Sequence, residues 1–171
     1  MRAFFEISGL NIYIQIVVTL ISIGIHLLRT RNTERRETVK ELVAIYTIGL
    51  AGWFGISSGI FGHIIYADEV ARGIGWPIDS GFQMELAFAS IGIGLIGAVG
   101  FWNKSFWLPF ILAKITFMWG AALTHILHIL EYGNFNPSNA GVVLYWDLLF
   151  PLVLLGVYWA YRREVKSGNA D

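Results

Sequence analysis

There is no cysteine anywhere in the chain, which rules out disulfides, thiolate metal sites, Cys-ligated iron–sulfur clusters and thiol catalysis. Charge is scarce as well. Only 14% of residues are charged, and 12 basic against 12 acidic side chains leave no net charge to draw the chain to nucleic acid. No HExxH motif, no ExxH pair and no run of histidine boxes supplies a ready metal signature. The N-terminal run carries Arg2 and a long apolar stretch, but Glu6 intervenes and no small-residue cleavage site follows. It reads as a retained first helix and not as a signal peptide. What the chain does have is apolar surface: 56% hydrophobic residues and a mean hydropathy of +0.60 fit an integral membrane protein.

Five segments, about 10–29, 42–66, 83–102, 106–131 and 142–161, are long and apolar enough to cross a bilayer. The expected fold is therefore all-α, an integral membrane helix bundle in a single domain over residues 1–171. Between the first two segments, Arg29, Arg31, Arg35, Arg36 and Lys40 crowd one short loop, and Lys104, Arg162, Arg163 and Lys166 fall on the same side. The positive-inside rule then puts that side and the C-terminus in the cytoplasm, with the N-terminus outside. In the second segment Gly49, Gly52, Gly55, Gly59 and Gly62 recur every three or four residues, and Gly92, Gly94, Gly97 and Gly100 repeat the pattern in the third. Such stripes let helix backbones approach closely. The connection 67–82 predicts a turn of interfacial helix ended by Gly75 and Pro77, with Trp76 among headgroups, and Trp102 and Trp107 read as interface anchors. The loop 132–141, with Gly133, Asn134, Pro137 and Asn139, predicts an ordered cap.

Antiparallel threading brings ionisable residues from four helices to one depth. His63 lies at the end of the second segment, Glu85 near the start of the third, His125 and His128 near the end of the fourth, and Asp147 inside the fifth. His125 and His128 are spaced i, i+3 on one side of a helix. An ionised side chain at the bilayer centre costs roughly 2.5–3.5 kcal/mol on insertion scales, so such groups normally face the bundle interior and pair or bind something. Three imidazoles and two carboxylates make His63, Glu85, His125, His128 and Asp147 a candidate zinc or iron site. Haem held by His63 with His125 or His128 is the alternative, and a purely structural polar clasp is the bland one. Asp68 and Glu131 are candidate catalytic bases, and Gln83 and Asn139 are placed to orient ligands. Lys114, eleven residues before His125 on nearly the same face, either snorkels toward the cytoplasm or marks the floor of a polar cavity.

The runs Gly62-His63, Ala67-Asp68, Ile74-Gly75-Trp76-Pro77, Ser80-Gly81-Phe82-Gln83 and Glu85 continue through Gly120-Ala121-Ala122, His125, Gly133-Asn134, Pro137, Asn139-Ala140-Gly141 and Tyr145-Trp146-Asp147. Over residues 49–161 the chain resembles a family of small prokaryotic membrane proteins of unknown function. That resemblance implies a compact multi-helix membrane domain whose polar motifs gather at one end, and His128 rests on spacing alone. Two functions are expected from these features. One is a metal-binding or redox membrane protein acting on a lipid-like or quinone-like substrate. The other is a non-catalytic subunit of a larger membrane complex, with a membrane protein partner or a second copy against its helices.

Overall fold

The structure is a computed structural model that describes residues 9–29 and 39–168. Arg2, Glu6, and the Arg31, Arg35 and Arg36 of the basic loop lie outside the described residues. Helix α1 covers Leu10–Arg29 and α2 covers Val39–Ser57, continuing as a π-helical stretch over Ser58–Ile65. Then follow α3 (Ala67–Ile74), α4 (Ser80–Val99), a 3₁₀ turn (Lys104–Phe106), α5 (Trp107–Tyr132), α6 (Pro137–Ala140) and α7 (Val142–Gly168). Five helices among the described residues are long and apolar enough to cross a membrane: Leu10–Arg29, Val39–Ile65, Ser80–Val99, Lys104–Tyr132 and Pro137–Val165. The hydropathy reading of the sequence is met in number and, to a few residues, in position.

α2, α4, α5 and α7 form the bundle, and α1 lies against the outside of α2. The glycine stripes explain the tightest seam. A Cβ on Gly52 would fall onto the backbone of Gly97 and Ala98, and one on Gly94 would sit 2.7 Å from the Gly52 carbonyl oxygen. Here the two helices meet backbone to backbone, a contact that only hydrogen side chains allow. Gly92 belongs to the other face of α4, where an added Cβ would meet nothing within 4 Å. Ala44, Ile48 and Ala51 of α2 pack with Trp107, Phe110, Ile111 and Met118 of α5 and with Phe150 and Leu154 of α7 to make the core.

Trp107 corrects an expectation. It is fully buried, donates its indole N–H to the Gly100 carbonyl at 2.7 Å and meets Tyr161 edge-on, so it plugs the short turn from within the bundle. Trp102, 77% exposed, keeps the place of an interface anchor.

Candidate functional site

The antiparallel order puts the end of α2, the starts of α4 and α7 and the end of α5 at one end of the bundle. We refer to it as the histidine end, and to the opposite one, where Lys40, Lys104, Arg162 and Arg163 lie, as the basic end. Two short helices cover the histidine end. α3 is closed by Gly75 in the left-handed region, φ +80°, and α6 begins with Pro137 at its first position, where a missing N–H costs nothing. The expected interfacial helix and ordered cap are both there.

Asn139 is the centre of this end, with none of its surface exposed. Its amide nitrogen donates to the carbonyl oxygens of Asn134 (2.8 Å) and His125 (3.3 Å). With the NH₂ group so occupied, its Oδ1 must accept, and the His125 Nδ1–H donates to it at 2.8 Å. The network thereby puts a proton on His125 Nδ1. Its Nε2 faces Asp147 Oδ2 at 4.0 Å, too far for a direct hydrogen bond. Asn134 extends the net by donating to the Ile74 carbonyl at 2.8 Å, with a longer contact of 3.4 Å to His128 Nδ1. One chain of amides therefore ties α5, the loop after it, α6 and the end of α3 together.

His63 makes a separate pair. The π-helical stretch, whose wider turn shows in the bond from the Tyr66 N–H back to the Phe61 carbonyl, carries His63 to Gln83 on α4. There its Nδ1–H donates to Gln83 Oε1 at 2.8 Å. π-helical turns recur at functional sites because they re-aim a side chain that a regular helix would place elsewhere.

These contacts do not gather the five candidate ligands into one group. Among the described residues no three His, Asp or Glu side chains form a group that could hold a metal ion. Rotational phase is the reason. The buried face of α4 is Gln83, Ala87, Ser90, Gly94 and Gly97, and at 100° per residue Glu85 lies 200° around from Gln83, outside the bundle. His125 and Asp147 do come together, His63 takes Gln83, and His128 is tilted against Trp76 and Tyr132 at ring distances of 5.4 and 4.7 Å. Asp68, in the first turn of α3, and Glu131, in the last turn of α5, are exposed at the same end.

The structure adds Trp76, which the sequence reading placed among headgroups. Its ring is stacked on His125, 5.2 Å between centroids and 29° between planes, and it also packs against Phe82. Its indole N–H is buried and has no hydrogen-bond partner among the described residues. Pro77 follows it and Gly75 turns the chain inward just before, which was the available signal. Lys114 departs from the snorkelling reading as well. Its ammonium lies 5.6 Å over the ring of Phe117, one turn toward the histidine end.

Fold and site together define a multi-pass helical membrane protein with a polar, amide-bonded cap at one end of the bundle. Residues 10–167 match DUF6790, a family of unknown function, and the chain belongs to that family. Neither the curated proteins nor the solved structures contain a match to it.

Proposed function

We propose that this protein is a non-catalytic helix-bundle component of a larger assembly in a prokaryotic cytoplasmic membrane, with its basic end inside and the histidine cluster acting as a clasp for the outer cap. The observation that carries this reading is Asn139: fully buried, and bonded to His125 and Asn134 so that every contact spans two segments. A polar network satisfied within itself specifies one arrangement of the cap and leaves few groups for chemistry. Supporting a partner, α1 is apolar along its whole length yet buries only Ile12 and Gln15 against the bundle. Extraction from the native membrane in mild detergent tests the proposal. A stoichiometric second membrane protein in the same band is expected; a lone, stable bundle overturns it.

A second reading follows from one observation, a Trp76 N–H with no partner among the described residues on a ring stacked against His125. A carbonyl group of a quinone-like or lipid-like molecule would accept from that N–H, and Asp68 or Glu131 at the rim would serve as the base for a substrate held there. A haem ligated by His63 with His125 or His128 belongs to the same reading. Saturable quenching of tryptophan fluorescence by a soluble quinone, lost in Trp76→Phe, or a Soret band in the purified protein, supports it. Absence of both removes it.

A further inference from the structure

We propose that the groove between α2 and α7 at the basic end is a binding site for one anionic glycerophospholipid. The groove has a volume of about 220 Å³ and is lined by Val39, Lys40, Val43, Gly156, Val157 and Ala160. Apart from Lys40 every lining residue is apolar or glycine, so its floor suits an acyl chain. Gly156 makes the room: a Cβ built on it meets nothing within 4 Å. Arg163 follows Gly156 by seven residues, two turns along the same face of α7 and about 10 Å nearer the basic end. The groove is lined as far as Lys40 and Ala160, and Arg163 lies about one turn beyond it toward the basic end.

Charge selects the occupant. Lys40 stands at the rim with its ammonium 3.9 Å from Glu164, a long pair that is open to water on the lysine side. Arg163, next to Glu164 in sequence, is exposed and lies 3.5 Å over the ring of Trp159, itself exposed where an interfacial aromatic belongs. Among the described residues Glu164 faces Lys40 and Glu41 pairs with Lys104, which leaves Arg163 as the positive excess at the rim. A basic rim over an apolar slot between two membrane helices is the arrangement that holds an acidic headgroup with its chain inserted below. A zwitterionic lipid would fill the slot and gain nothing at the rim.

The full-length protein, delipidated in mild detergent and titrated with phosphatidylglycerol or phosphatidylcholine, gives bound lipid per chain by native mass spectrometry. Wild type is expected to hold one phosphatidylglycerol in preference to phosphatidylcholine. Lys40→Gln with Arg163→Gln should weaken phosphatidylglycerol by about fivefold per charge removed and leave phosphatidylcholine unchanged. Gly156→Leu fills the slot without displacing any neighbour and should weaken both lipids. Equal binding of the two lipids by wild type, or undiminished phosphatidylglycerol in both variants, overturns the site. So does a change in oligomeric mass in Gly156→Leu, which would make the groove a contact between two copies of the chain. If Gly156→Leu fails to fold, the charge variant and the wild-type comparison still decide.

Discussion

The two ends of this bundle hold together by different physics. At the histidine end amides and imidazoles are withdrawn from solvent and bonded to one another, with Asn139 fully buried and His125 only 4% exposed. At the basic end, apart from the buried Trp107–Gly100 bond, the polar contacts are chiefly those of charged side chains at or near the surface: Lys40 with Glu164, Lys104 with Glu41, and Arg163 over Trp159. A buried amide without its partners loses its whole hydration and regains nothing, whereas an exposed ion exchanges a partner for water. Polar residues at the first end are therefore structurally expensive to change, and those at the second are tolerant. Selectivity for what binds is the property expected of the second.

The largest effect is expected at the centre of the clasp. Asn139→Leu leaves the His125 ring N–H and the Asn134 carbonyl without these partners and takes from the His125 carbonyl the bond it accepts beyond its helical one. Each stranded group costs about 1–3 kcal/mol in soluble proteins, less in membranes, where the unfolded chain finds other partners. A net loss of about 3 kcal/mol is expected, read as a lowered thermal midpoint in detergent, with protease cutting the cap at 133–141 before the helices melt. An unchanged midpoint would show that the amide chain is not what holds this end.

Next comes Gly75→Ala. The position has φ +80°, where a side chain costs about 1–2 kcal/mol, and the new Cβ would run into the side-chain amide of Asn136. The loosened turn should release Trp76 from its stack on His125, visible as a red shift in tryptophan emission. Gln83→Leu should cost less, about 1 kcal/mol, because His63 is partly exposed and can turn its N–H to another acceptor. Combining Gln83→Leu with Asn139→Leu should give an additive loss, since no bond joins the two pairs; a strongly non-additive result would mean that the two histidines share one site after all.

How far the sequence foretold this can be argued residue by residue. Hydropathy length decides how many times a chain crosses, and alternation decides which end each residue reaches, so the spans and the common end of His63, Glu85, His125, His128 and Asp147 could be read directly. The glycine period foretold the α2–α4 seam for the same reason: it is a property of one helix at a time. Which side chains touch depends on the rotation of each helix about its axis, and that is settled by neighbours far away in sequence. Glu85 shows the point. The run Gln83, Ala87, Ser90, Gly94 already marks the inner face and would have excluded Glu85 had phase been weighed along with depth. The π-helical turn that carries His63 to Gln83 has no comparable mark in the sequence, and neither does the inward fold of Trp76.

The smallest effect is expected at the basic end, and it sharpens the contrast most. Lys40→Ala removes an ion pair whose partners are 57% and 32% exposed at the side chain, and pairs of that kind contribute roughly 0–1 kcal/mol. The thermal midpoint should barely move, and raising salt from about 0.1 M toward 1 M, which shortens the Debye length from about 10 Å to 3 Å, should erase what difference remains. The midpoint deficit of Asn139→Leu should persist through the same titration, because no ionised group takes part in its bonds. A salt-dependent Asn139→Leu deficit would mean that charge reaches the clasp, and Asp147, 4.0 Å from His125, is the group through which it would do so.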